Sequence, residues 1–133
     1  ALPICFNKRI FAAKRLVKTR GGRSLERFVR GDVVVIPFPF SDLTQAKRRP
    51  ALVLSVLPGN DLILCQITSQ KVRDMYAVTL LNEDFESGSL NQISNIRPSR
   101  LFTADENIVL YKAGNLKVNK VDEILRTLIN LFR

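Results

Sequence analysis

The sequence predicts a mainly β fold: a small, highly curved antiparallel barrel of short strands closed by one C-terminal helix. Three observations carry that expectation. Apolar and β-branched runs recur at Val33–Ile36, Ala51–Leu57 and Leu62–Thr68. Turn chemistry separates them, most plainly at Pro58-Gly59-Asn60-Asp61, where Pro presets φ while Gly and Asn accept positive φ. Helical spacing dominates residues 118–132, where Val121, Ile124, Leu125, Leu128, Ile129 and Phe132 form one apolar stripe. Lys120, Glu123, Arg126 and Thr127 fall mostly on the other face, as expected of a helix capping an open barrel end.

Length and charge narrow the function. A chain of 133 residues fits one domain with one core. No apolar run reaches the length of a membrane span, so no membrane partner is expected. The net charge is +9, but it is unevenly placed. Residues 1–30 carry nine Lys/Arg and one acid, whereas residues 31–133 carry twelve Lys/Arg and eleven Asp/Glu. The body is nearly neutral, and overall charge alone argues only about the leading segment. There is no histidine, which excludes Ser-His, Cys-His and HExxH chemistry. Cys5 and Cys65 alone make no zinc set, so neither metal nor cofactor is expected. They read as reduced thiols of a cytoplasmic protein; a disulfide stays open, although nothing in the spacing demands it. Any catalysis must run on Arg, Lys, Asp, Glu, Thr, Ser or Tyr.

Residues 1–29 read as a basic N-terminal extension and 30–133 as the globular domain. Within the extension, Ile10–Lys18 has the pattern of a basic amphipathic helix, broken by Gly21-Gly22. A basic arm, an RNA-binding arm, an organellar transit peptide and sequence outside the native start all stay open. The domain opens with a strand from Asp32 to Phe40, in which Pro37 and Pro39 are expected to end regular pairing. Ser41–Arg48 is a polar loop, longer than a tight turn requires. After the second and third strands come expected strands at Tyr76–Leu81 and Leu90–Ile96, interrupted by Pro98, a shorter one at Arg100–Thr103, and a short apolar segment at Ile108–Tyr111. Asn82–Gly88 reads as an acidic loop, and Gly114-Asn115 as a loop before the helix.

The most informative stretch is Lys47-Arg48-Arg49-Pro50-Ala51-Leu52-Val53-Leu54-Ser55. A basic run here becomes an apolar strand, so a guanidinium is held at the rim of a sheet. The guanidinium fork matches phosphate oxygens and stays charged. In an antiparallel meander the start of the second strand lies beside the end of the third, which brings Arg49 near Thr68. Position alone leaves Arg49 equally able to pair with Asp32 or Asp42, and Thr68-Ser69 to be ordinary strand-end residues.

Several stretches occur together in order: Arg30-Gly31-Asp32-Val33-Val34, Pro37-Phe38-Pro39-Phe40-Ser41-Asp42-Leu43, the Lys47–Ser55 run, Gln66-Ile67-Thr68-Ser69 and Arg97-Pro98-Ser99-Arg100-Leu101-Phe102. In these, residues 30–133 resemble the PemK/MazF toxins of bacterial toxin–antitoxin modules. The resemblance implies an SH3-like barrel with a C-terminal helix, a homodimer, and a cognate antitoxin. It implies metal-independent, sequence-selective cleavage of single-stranded RNA, often mRNA. The family's catalytic arginine and threonine fall on Arg49 and Thr68. Around them, Lys47 and Arg48 are expected to hold neighbouring phosphates and Ser69 to assist Thr68. Asp42 or Gln66 is expected to orient the 2′-hydroxyl. Phe40 is a candidate for base stacking, or for the core or dimer interface, and Gln92 for RNA contact. The sequence departs from the pattern at Asn91, where several relatives place an acid before the glutamine. That departure keeps a second reading alive: a non-catalytic module that binds RNA or protein, such as a gyrase poison, or an inactive relative that titrates an antitoxin.

Overall fold

A computed structural model of the chain describes residues 28–39 and 46–133. The Ile10–Lys18 segment, Cys5, Phe40 and Asp42 lie outside the described residues. The strands are β1 (Asp32–Pro39), β2 (Ala46–Val56), β3 (Asp61–Thr68), β4 (Val78–Leu80), β5 (Phe85–Gly88), β6 (Ser94–Asp105) and β7 (Tyr111–Leu116). One helix follows, α1 (Val118–Leu131). The strands form one antiparallel sheet in the order β4-β6-β3-β2-β1-β7-β5. It curls into a half-barrel, as the short strands and closing helix lead one to expect. Among the described residues no helix is long and apolar enough to cross a membrane.

The central strands are apolar without interruption because both faces of the sheet are covered. Side chains alternate faces along a strand. Val33, Leu52, Cys65 and Ile67 therefore share one apolar cluster with Val121 and Ile124 of α1. Val34, Ile36, Ala51, Val53, Leu62 and Leu64 form a second cluster, flanked by Phe28, Val56, Phe102 and Val109. Each fully buried Leu, Ile or Val contributes about 1.5–3 kcal/mol. Burial also pushes the Cys65 thiol up to about 12, which leaves it protonated and inert at neutral pH. The helix stripe runs on beyond the sheet: Ile129 and Phe132 remain 57% and 72% exposed.

Four local expectations are corrected. Pro37 and Pro39 do not end pairing but lie opposite Arg48 and Ala46 in the β1–β2 ladder. In that ladder Pro37, Pro39 and Val35, which faces Pro50, fall on alternate positions. The Val35 carbonyl accepts from Leu110 N, on the side away from β2. All three proline nitrogens thus fall where the ladder needs no donor. Pro98 does not split two strands either. Cys65 pairs with Leu101 and Gln66 with Arg97, so Pro98, Ser99 and Arg100 form a bulge inside β6. Leu90–Ile93, expected as strand, precedes β6.

The fourth correction concerns two expected loops. Phe85–Gly88 is strand β5, and Gly114-Asn115 lies inside β7, with which β5 pairs. Gly114 is there because the strands approach so closely that a Cβ would collide with the Ser87 carbonyl and lie 2.9 Å from Gly88 Cα. Gly114→Ala should therefore destabilise the fold by about 1–3 kcal/mol. Urea denaturation measures it, and an unchanged midpoint would contradict this packing.

Candidate functional site

The β2–β3 register sets the site. Ala51 faces Gln66, Leu52 faces Cys65 and Val53 faces Leu64. Continuing that antiparallel register two residues beyond Ala51 sets Arg49 opposite Thr68. On the flanking strands Ile36 faces Arg49, Thr68 faces Asn95 and Gln66 faces Arg97. Alternation puts Leu62, Leu64, Gln66 and Thr68 on one face, turned away from α1. The polar row is thus a continuation of the second apolar cluster at the end of the sheet. Thr68 and Gln66 are only 7% and 9% exposed.

Two cavities open at this row, and Arg49 and Thr68 line both. The larger, about 430 Å³, adds Gln66, Gln70, Lys71, Arg97 and Arg100. Its walls carry four cations, and no carboxylate among the described residues. The smaller, about 170 Å³, adds Arg48, Ser69, Asn91, Gln92 and the apolar Leu90. Two polar groups keep hydrogen-bonding capacity here. The Thr68 hydroxyl accepts from Gln70 N at 3.1 Å. A hydroxyl that accepts still has its own proton to give, so Thr68 presents a donor. Gln66 Oε1 is buried and accepts no hydrogen bond among the described residues. An acceptor left so costs about 1–3 kcal/mol, which a ligand donor would recover.

A clasp holds the wall of the larger cavity. The Asp74 carboxylate accepts from Ser99 Oγ in the β6 bulge, from Tyr76 N at 2.9 Å and from Arg97 Nε at 3.4 Å. The Ser99 hydrogen bond leads, with the Tyr76 amide and Arg97 adding to it, in holding the Asp74 carboxyl below its ordinary value of 3.8. The clasp ties the segment after β3, which includes Lys71, to the strand that carries Arg97.

Of the expected site residues, Arg49, Thr68 and Gln66 meet in the larger cavity, and Arg48, Ser69 and Gln92 join Arg49 and Thr68 in the smaller. Lys47 is exposed on β2 and lines neither. Asp42 and Phe40 lie outside the described residues. Asp32, weighed as a partner for Arg49, sits at the other end of β1, accepts from Val29 N at 2.9 Å and faces Lys112 Nζ at 3.6 Å. The sequence reading missed Gln70, Lys71, Arg97 and Arg100 as cavity residues. No local pattern marks them: Arg97 faces Gln66 at the end of β3, and the bulge at Pro98, Ser99 and Arg100 follows it in β6. Among the described residues no cluster of His, Cys, Asp or Glu could hold a metal ion.

The model of the PemK-like, MazF-like toxins of type II toxin–antitoxin systems matches residues 29–132. The chain belongs to this family. Solved structures of MazF-type toxins share its fold. MazF from Deinococcus radiodurans is 22% identical, with 80% of this chain and 96% of that one covered at a TM-score of 0.60. The Mycobacterium tuberculosis toxin MazF-mt6 is 18% identical over 76% and 95%, at 0.58. A mycobacterial endoribonuclease in complex with its cognate antitoxin is 13% identical over 79% and 94%, at 0.61. No curated protein sequence matches significantly.

In this PemK/MazF-like chain Asp74→Ala should speed amide exchange across residues 69–77 at neutral pH. Equal exchange in both proteins would contradict the clasp. Because the folded carboxyl is depressed, the clasp contributes stability above the unfolded carboxyl's range and loses it only as pH falls through the lower folded value. The difference between wild type and Asp74→Ala should therefore persist at neutral pH and close in acid.

Proposed function

We propose that this toxin-family chain is a metal-independent, sequence-selective endoribonuclease that cleaves single-stranded RNA. The observation that carries the reading is the pairing of a rim guanidinium, Arg49, with a buried hydroxyl, Thr68, in both cavities of a basic cleft. The scissile phosphate sits between them. Thr68, assisted by Ser69, donates to a non-bridging oxygen, and Arg49 stabilises the charge that develops on the phosphorane. Gln66 Oε1 accepts from the adjacent 2′-hydroxyl and aims its oxygen at phosphorus. The 2′-oxygen forms the new P–O bond as the bond to O5′ breaks. The 2′ proton passes to water, and O5′ takes a proton from the Arg49 guanidinium, which regains one from water. The products are a 2′,3′-cyclic phosphate and a 5′-hydroxyl. Arg48 holds a neighbouring phosphate, and Asn91 and Gln92 present amides to a base.

The same reading makes the protein a cytoplasmic homodimer neutralised by a cognate antitoxin. What supports the antitoxin is family membership together with the toxin–antitoxin complexes among the structural neighbours. A second reading, an RNA- or protein-binding module that does not cut, is favoured by one observation: Asn91, neutral where relatives place an acid, lines the smaller cavity.

The test is a long single-stranded RNA incubated with pure protein in excess EDTA, with the new ends mapped. Discrete cuts bearing 5′-hydroxyl ends are expected. Arg49→Ala should lower the rate by roughly 10²–10³-fold, the cost of removing one preorganised charge-stabilising donor. A loss of less than about threefold, far below that range, would remove Arg49 from the chemistry. No cutting by the folded wild type would favour the binding-module reading.

A further inference from the structure

The two cavities meet at Arg49 and Thr68 but differ in chemistry, and that difference gives the cleft a direction. We infer that RNA lies with its 5′ side in the larger cavity and its 3′ side in the smaller. Lys71, Arg97 and Arg100 form a subsite for the phosphate immediately 5′ of the nucleotide that supplies the attacking hydroxyl. The inference rests on the ribonuclease reading and deepens it.

Gln66 decides the direction. Its Oε1 is a buried acceptor with no donor among the described residues, and Gln66 lines the larger cavity and not the smaller. A phosphate without protons cannot satisfy it. The donor nearest to any scissile phosphate is the 2′-hydroxyl that attacks it. That hydroxyl belongs to the nucleotide on the 5′ side of the bond, so this nucleotide occupies the Gln66 side. A volume of about 430 Å³ falls within the usual range for small-ligand sites, roughly 300–1,000 Å³. The smaller cavity, about 170 Å³ with two amides and Leu90 in its wall, takes only an edge of the leaving nucleotide.

The cations lie where the next phosphate would fall. Arg97 pairs with Gln66, and Thr68 with Asn95, so Arg97 is diagonal to Thr68 across β3 and β6. Such diagonal neighbours are roughly 7–8 Å apart, which is the scale of one backbone repeat in a single strand. Arg100 joins Arg97 from the bulge, and Lys71 closes the wall from the segment after β3. Asp74 touches Arg97 from within the clasp, so it is a positioning residue for this subsite.

The test uses an RNA carrying the mapped cut site with one neutral methylphosphonate. It is placed either at the phosphate 5′ of the attacking nucleotide or at the phosphate 3′ of the leaving nucleotide. For wild type, the 5′ substitution should lower kcat/KM roughly 10-fold, the scale of one charge-assisted hydrogen bond. Arg97→Gln combined with Arg100→Gln should lose about as much on unmodified RNA, lose nothing further from the 5′ substitution, and keep the full penalty of the 3′ substitution. Lys71→Gln, an exposed change, gives a second cycle that does not disturb the Asp74 clasp and should show the same selective coupling. Coupling to the 3′ substitution instead would reverse the strand. Equal 5′ penalties in wild type and variants would remove the subsite. Either result overturns the inference and leaves the ribonuclease reading standing. Absence of cutting by wild type removes the ribonuclease reading, and the inference with it.

Discussion

The register of one hairpin underlies the candidate site. Ala51 faces Gln66 in the β2–β3 ladder, and the row of Arg49, Gln66 and Thr68 is placed by counting from that pair. Slipping the register by one residue would turn Gln66 and Thr68 toward α1 and bury Cys65 and Ile67 in the cleft. Covering both faces of the sheet prevents the slip. The helix side needs Leu52, Cys65 and Ile67; the other side needs Val53, Leu62 and Leu64. The apolar pattern that folds the chain therefore also sets Arg49 across from Thr68.

The cleft begins where apolar packing stops. Along β3, the residues on the cleft side run Leu62, Leu64, Gln66, Thr68, passing from core to chemistry without leaving the strand. A rigid sheet holds these side chains more firmly than a loop would. Its cost is visible in Gln66 Oε1, a buried acceptor left without a donor among the described residues. Residues from less regular segments complete the walls: Lys71 after β3, Arg97 and Arg100 at the β6 bulge, Asn91 and Gln92 before β6. The Asp74 clasp and the turn in which Ser94 Oγ donates to the Gln92 carbonyl at 3.0 Å limit their freedom.

Much of this could be read from the residues. Strands β1 to β3 announced themselves as apolar runs between turn signals, and the helix as a stripe of three-and-four spacing. The meeting of Arg49 with Thr68 followed from antiparallel geometry. What escaped the reading depended on pairing between distant segments. Phe85–Gly88 has too few apolar residues to look like a strand, and becomes one because β7 lies beside it. Gly114 looked like a loop glycine because sequence shows its missing side chain but not the strand pressed against it. Pro98 looked like a strand end because a bulge has no local signature. The place of Arg97 follows from its pairing with Gln66, which no local pattern marks.

The central claim is that Arg49 and Thr68 act on one phosphate as a unit. A double-mutant cycle on RNA cleavage tests it most directly, with Arg49→Ala, Thr68→Ala and the pair compared in EDTA. Groups that act on the same charge give non-additive losses. The double variant should be little slower than the slower single variant. Losses that multiply fully in the double variant would show two independent contributions and contradict the account.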